Sequence, residues 1–116
     1  MTSFARDAEY YEATIIEAAR YFENFNKTCT DKDIHEQCEV LIDLLQTAGS
    51  FVAREAIMSK RSLNDTDMRR MLKTLTTTRD ALNNIIRIDE TYATNDDFQR
   101  GLSTINALIR DMEQAT

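Results

Sequence analysis

The sequence contains no proline and only two glycines, Gly49 and Gly101, among its 116 residues. Tight turns, hairpins and bulges depend on these two residue types, so their scarcity argues against a β-rich fold. No apolar run approaches the roughly 20 residues that a membrane-spanning helix needs, and the amino terminus lacks the apolar core of a signal peptide. We therefore expect a helical protein of the cytoplasm, without a membrane span.

Histidine and cysteine are also scarce, with His35 as the single histidine and Cys29 and Cys38 as the two cysteines. Carboxylate-bridged metal sites in helical bundles usually take Glu-x-x-His from two helices, and that motif is absent here. Cys38 falls among predicted core residues, and no histidine or asparagine is placed by the sequence to form a catalytic pair with Cys29. No glycine-rich phosphate loop or nucleophile elbow occurs. We predict no enzyme activity, no metal and no cofactor.

One alternative remains for the histidine. A phosphotransfer function needs an exposed imidazole on a helix of a small bundle, and His35 lies in the first turn of a predicted helix. Histidine phosphotransfer domains place a lysine and a small residue after the histidine, whereas Glu36-Gln37-Cys38-Glu39 follows here. A signalling bundle that uses His35 is therefore kept as an alternative and not as the main prediction.

Apolar residues at alternating steps of four and three predict four amphipathic helices with coiled-coil-like packing. We expect helix one from Ser3 to Asn26, helix two from Thr30 to Met58 or Ser59, helix three from Ser62 through Tyr92, and helix four from Thr94 to the carboxyl terminus. The expected buried residues of helices one and two are Phe4, Ala8, Tyr11, Ile15, Ala18, Phe22, Phe25, Ile34, Cys38, Leu41, Leu45, Ala48 and Val52, with Val40, Leu44 and Phe51 beside them. Those of helices three and four are Met68, Leu72, Leu75, Leu82, Ile85, Tyr92, Phe98, Leu102, Ile105, Ile109 and Met112, supported by Met71, Ile86 and Ile88.

Three of the four helices open with the same predicted device, a hydroxyl residue followed three positions later by aspartate. The hydroxyl would accept a hydrogen bond from the first turn of its helix. The predicted hydroxyl caps are Thr30, Ser62 and Thr94. Links of only a few residues force neighbouring helices to run antiparallel. The sequence thus predicts an all-α fold, an antiparallel up-down-up-down four-helix bundle in a single domain over residues 1–116; the alternative breaks helix two near Gly49 or helix three at Thr76–Thr78.

Charge is distributed unevenly in a chain whose net charge is −6. Residues 54–79 hold seven basic and three acidic side chains, while acidic residues dominate on both sides. The basic residues are Arg54, Lys60, Arg61, Arg69, Arg70, Lys73 and Arg79. One interpretation is that they pair with acidic faces of helices one and two. The other is a docking patch for an acidic partner, formed by Arg61, Arg69, Arg70 and Lys73.

Helix one carries more apolar surface than a single buried seam requires, since Tyr10, Ile16 and Tyr21 lie off the seam. Tyrosine suits interfaces because its ring can be buried while its hydroxyl stays in water. If at least two of these three side chains are exposed together, we expect a surface for a homodimer or for a partner helix.

Two helical segments of the sequence can be compared with known modules. They are Ile85-Ile86-Arg87-Ile88-Asp89-Glu90-Thr91 and Ile105-Asn106-Ala107-Leu108-Ile109-Arg110-Asp111-Met112-Glu113. These segments resemble the last two helices of BAG domains, which are helical modules that bind Hsp70 chaperones. The resemblance covers about a quarter of the chain and implies an Hsp70-binding co-chaperone-like module. The Arg-Lys pair typical of that family's last helix is missing here, and only Arg100 lies nearby.

These observations favour a non-catalytic interaction module, that is, an adaptor, regulatory subunit or inhibitor that binds another protein through its helix faces. Alternatives are the signalling bundle, the co-chaperone-like module, and an acidic protein that mimics nucleic acid and blocks its binding partner. A nucleic-acid-associated accessory protein would use the basic middle segment, and its binding would depend steeply on salt. The acidic balance argues against direct contact with nucleic acid.

Overall fold

The computed structural model describes residues 7–115, in which every regular element is helical. The α-helices are α1 (Ala8–Thr28), α2 (Lys32–Val52), α3 (Asp65–Ile88) and α4 (Asp96–Ala115). A π-helical turn, Ala53–Ile57, continues α2, and a 3-10 turn, Glu90–Thr94, precedes α4. The prediction of an all-helical chain is confirmed. The expected start at Ser3 and the expected core residue Phe4 lie outside the described residues.

The helices begin with a different capping chemistry from the one expected. Carboxylate and amide side chains, and not the hydroxyls of Thr30, Ser62 and Thr94, accept the first backbone hydrogen bonds. The capping residues are Asp7, Asp31, Asn64 and Asn95. Asp and Asn are at least as good as Ser and Thr at this position. In α2, α3 and α4 the cap therefore lies one or two positions beyond the hydroxyl named from the sequence.

Helices two and three also end differently from the prediction. The α-helical hydrogen bonding of α2 stops at Val52, and the wider π-turn carries the chain to Ile57. In that turn the Met58 N–H donates to the Ala53 carbonyl over 2.8 Å. Helix α3 ends at Ile88, so Tyr92 belongs to the 3-10 turn and not to helix three. Neither Gly49 nor the threonine run interrupts its helix.

The core contains most of the residues that the four-three spacing selected. Its aromatic part lies where the end of α1 meets the start of α4. There Phe22 packs edge-on against Phe98 with ring centroids 5.6 Å apart, and Phe25 packs on Phe98 at 5.2 Å. Gly101 makes this contact possible, because a Cβ at that position would lie only 2.6 Å from the Phe22 ring. The absence of a side chain at Gly101 thus lets α1 and α4 approach closely.

Three residues expected beside the buried seams are exposed instead. Val40, Leu44 and Ile88 keep 59%, 36% and 66% of their surface accessible. Conversely, Ile42, Leu63 and Leu108 are buried although the seams did not include them. Single exposed apolar residues are ordinary, but Val40 and Leu44 lie one turn apart on the same face of α2. Their exposure gives this face of α2 an accessible apolar surface.

The packing among the helices is consistent with a bundle, 46 Å long and 24 by 20 Å across. Helix α1 makes extensive contacts with both α2 and α4, whereas α2 and α3 share the smallest of the four interhelical interfaces. The Tyr10 hydroxyl near the start of α1 donates to Asp111 near the end of α4 over 2.8 Å. Together with the Phe25–Phe98 contact, this bond shows that α1 and α4 run in opposite directions. Among residues 7–115, no helix is both long and apolar enough to cross a bilayer.

Candidate interaction surface

The sparse packing between α2 and α3 leaves an open groove along the surface of the protein. Its volume is about 330 Å³. We call it the α2–α3 groove and define it by the side chains that line it: Leu44, Thr47, Ala48, Phe51, Arg70, Met71, Lys73 and Thr74. The first four belong to α2 and the last four to α3.

Several of the side chains that line this groove are short. They are Thr47 and Ala48 on α2 and Thr74 on α3. Thr78 is fully buried one turn further along α3, and its hydroxyl donates to the Thr74 carbonyl over 2.9 Å. That bond satisfies the hydroxyl within its own helix. The Thr78 hydroxyl therefore makes its hydrogen bond within α3 and not to α2.

The α2 side of the groove is apolar. Leu44 and Phe51 lie seven positions apart on one face of the helix, with Ala48 buried between them. Val40 extends this apolar row by one turn toward the amino-terminal end of α2. Spacings of three and four place side chains on the same helical face. The α2 wall therefore offers a continuous apolar row from Val40 to Phe51.

The α3 side of the groove is basic. Arg70 and Lys73 are both exposed, and neither forms an ion pair with a carboxylate among residues 7–115. Arg69 is exposed too and lies one turn before Lys73, but it does not line the groove. Of the four basic residues named from the sequence, the structure brings Arg70 and Lys73 together beside an apolar row.

Arg61 is engaged elsewhere, at the corner where α3 begins. Its guanidinium lies 2.7 Å from Asp67 and 3.5 Å from Glu55, so it pairs within the basic segment and not with α1 or α2. Asp67 also completes a reciprocal capping box with Asn64. Burial raises the pKa of Asp67, but the hydrogen bonds from Arg61 and from the Asn64 backbone outweigh it and leave the pKa below its usual value. Arg61 thus stabilises the first turn of α3.

The second proposed surface, on α1, is less open than the first. Tyr10 is half-buried, and its hydrogen bond to Asp111, followed by burial, raises the pKa of its hydroxyl. Tyr21 is half-buried as well, and its hydroxyl donates to Glu17 over 3.3 Å. Only Ile16 is exposed, at 38%. The condition for a surface on this helix, two of the three exposed together, is not met.

His35 and the cysteines do not form a reactive cluster. The His35 Nε2 atom lies 2.8 Å from the Glu39 carboxylate, and Nδ1 lies 3.2 Å from the Asn26 carbonyl. A phosphoryl group on Nε2 would be repelled by the negative charge of this carboxylate. Burial raises the pKa of the Cys38 thiol to about 12, with a smaller contribution from Cys29. Within residues 7–115, no three histidine, cysteine or acidic side chains form a group that could hold a metal ion.

The sequence prediction missed the apolar half of the groove. Leu44 and Phe51 had been placed beside the core, and Met71 had been given a supporting role on helix three. The sequence does contain a signal for this surface, because helix two has more apolar positions than one seam can bury. The same excess on helix one points to Tyr10, Ile16 and Tyr21, of which only Ile16 is exposed.

Comparisons with known proteins identify no relative of this chain. The resemblance of two segments to BAG domains is accordingly left without support from them. No protein-family model, no curated protein and no solved structure matches the chain.

Proposed function

We propose that the chain is a non-catalytic protein–protein interaction module of the cytoplasm, and that it binds its partner through the α2–α3 groove. An adaptor, a regulatory subunit and an inhibitor all act in this way. The observation that carries the proposal is the pairing of an apolar row on α2, in which Leu44 is exposed and Phe51 is half-buried, with two exposed cations on α3. Neither cation forms an ion pair among residues 7–115. Interface cores are apolar, and charges at their rims guide the choice of partner.

An up-down-up-down arrangement of the helices is part of the same proposal. It is supported by the short links and by the opposite directions of α1 and α4. It is also supported by a contact between the end of α1 and the start of α2, where the Asn26 amide donates to the His35 carbonyl over 3.2 Å. In that arrangement α2 and α3 lie side by side along most of their length. The groove between them is then a long feature of the bundle surface, suited to an elongated ligand.

A protein partner fits this groove better than the other classes of ligand. Two cations in a chain of net charge −6 give little attraction for a nucleic acid backbone, which rewards many simultaneous phosphate contacts. The groove is open to solvent and most of its accessible surface is apolar, so it encloses a small substrate poorly. No observation specifically favours the signalling, co-chaperone-like or nucleic-acid-mimicking alternatives, or a homodimer.

The test is affinity capture from the native cell extract with tagged wild-type protein and four variants. Arg70→Glu/Lys73→Glu reverses the basic side of the groove, and Leu44→Asp places a charge in its apolar side. Arg100→Glu/Arg110→Glu is the matched control, because it reverses two exposed cations on α4, away from the groove. Far-UV circular dichroism establishes that all variants keep their helical content.

We expect at least one protein to be captured by the wild type and by the α4 control but lost from both groove variants. Tyr10→Ala/Ile16→Ala, which changes α1, should leave that protein bound. If the α4 control loses the same proteins as the groove variants, or if no protein depends on the groove, the proposed function is refuted.

A further inference from the structure

We infer that the α2–α3 groove takes one amphipathic helix of a partner protein, with a row of apolar side chains facing α2 and carboxylates facing α3. This inference rests on the proposed function, since it specifies the chemistry of the partner at the same groove. The length of the groove, its charge and the remaining surface of the chain each support it.

The length and shape of the groove fit a helix. The α2 side of the groove runs from Leu44 to Phe51, seven residue steps or about 10 Å at the helical rise of 1.5 Å per residue, and Val40 lengthens the apolar row by one further turn. A partner helix of about three turns lying along the groove covers that length. Its apolar residues at positions i, i+4 and i+7 would contact Leu44, Ala48 and Phe51, which is how helices bind in apolar grooves. Among residues 7–115 there is no strand whose edge could pair with an extended peptide.

The charge of the groove specifies the flank of that helix. Both charged side chains that line it are cations, Arg70 and Lys73, and both stand on the α3 side. No carboxylate lines the groove. A row of glutamates or aspartates on the partner helix, on the face next to its apolar row, would form ion pairs with these cations. A lysine row in the same place would be repelled, so the groove selects an acidic flank over a basic one.

A second copy of this chain is a poorer occupant than a different protein. Within residues 7–115, the large exposed apolar side chains are Ile16, Val40, Leu44, Met58 and Ile88. Only Val40 and Leu44 share a helix, and these two belong to the groove region itself. The described helices carry acidic residues but offer no further exposed apolar row to insert, so the complementary helix comes from another protein.

The experiment selects helices directly on the full-length protein. A phage library of helical peptides about four turns long, randomised over their surface positions, is panned on the immobilised wild-type chain. Binders that also bind Leu44→Asp are removed. We expect the remaining sequences to carry apolar residues spaced i, i+4 and i+7 with acidic residues on one flank.

An enriched peptide is then made with a fluorescein label, and its Kd is measured by fluorescence anisotropy. Arg70→Glu/Lys73→Glu should weaken its binding about tenfold or more, whereas Arg100→Glu/Arg110→Glu should leave the Kd unchanged. A peptide with lysines in place of its acidic residues should bind the wild type weakly and regain affinity for the charge-reversed groove. Comparing the acidic and basic peptides on the wild-type and charge-reversed proteins distinguishes charge complementarity from nonspecific hydrophobic binding.

Neutral or basic enriched peptides, or no enrichment at all, would overturn the inference. So would a homodimer, detected by sedimentation equilibrium and abolished by Leu44→Asp, because the occupant would then be a second copy. The proposed function fails separately, when the α4 control loses the same cellular proteins as the groove variants. A groove-dependent cellular partner with no preference for acidic helices would leave the proposed function standing and refute the inference alone.

Discussion

Replacing Gly101 by alanine probes the closest helix contact in the core. The added Cβ would lie 2.6 Å from Cε2 and Cζ of Phe22, well inside the roughly 3.5–4.0 Å at which carbon atoms attract. The Phe22 ring is fully buried and packs on Phe98, so it has no open space into which to turn. Gly101→Ala therefore forces α1 and α4 apart or distorts the aromatic cluster.

The expected magnitude combines two opposing effects. Overpacking of a core costs about 1–3 kcal/mol, while alanine is favoured over glycine inside a helix by about 1 kcal/mol. We expect Gly101→Ala to lower the free energy of unfolding by about 1 kcal/mol as the net of these two terms. Gly49→Ala is the matched control, because a Cβ there would lie 3.7 Å from Ile15 and Ile16, an ordinary contact. It should raise the free energy of unfolding by about 0.5–1 kcal/mol.

Urea denaturation followed by far-UV circular dichroism measures both effects. A double-mutant cycle with Phe22→Leu isolates the contact, since Gly101→Ala should become stabilising once the ring is removed. If Gly101→Ala stabilises the wild-type protein as much as Gly49→Ala does, the inference that Phe22 leaves no room for a Cβ at position 101 is refuted.

Two further predictions concern Asp67 and the cysteines. Asp67→Ala should lower the free energy of unfolding at neutral pH by about 1–2 kcal/mol, since it removes one half of the capping box and the partner of Arg61. Because the folded-state pKa of Asp67 is lowered, its contribution is present at neutral pH and is lost as the pH falls through that pKa, so urea denaturation should show the deficit shrinking in acid. Ellman's reagent should modify Cys29 rapidly in the folded protein and Cys38 only after unfolding, because burial holds the Cys38 thiol protonated. Equal rates at both thiols, or a deficit for Asp67→Ala that does not change with pH, would contradict these expectations.

The helices and most of the core could be predicted because they depend on local periodicity. A side chain such as Ile15 or Leu45 is buried because it recurs at a spacing that faces one direction, and this spacing can be counted in the sequence. The capping residues were less certain, because Thr30 and Asp31 are adjacent and both residue types cap helices. Backbone geometry, which the sequence does not display, selected Asp31.

The ends of α2 and α3 and the groove could not be predicted in the same way. The π-turn at Ala53–Ile57 changes the helical period, and a count that assumes a constant period passes over it. The exposure of Leu44 depends on how α2 is rotated relative to α3 and on how closely the two helices approach. That distance follows from small residues on both helices, Ala48 and Thr74 among them, and such pairings become visible only in three dimensions.

The positions of Leu44, Arg70 and Lys73 have a consequence for how such a protein can evolve. Arg70 and Lys73 are exposed and Leu44 is partly exposed, and none of the three belongs to the buried core that contains Phe22 and Leu45. Substitutions of exposed residues usually change stability by no more than about 0.5 kcal/mol. If the groove binds a partner as proposed, descendants of one gene can exchange one ligand for another through a handful of mutations, while selection for folding acts on a separate set of positions.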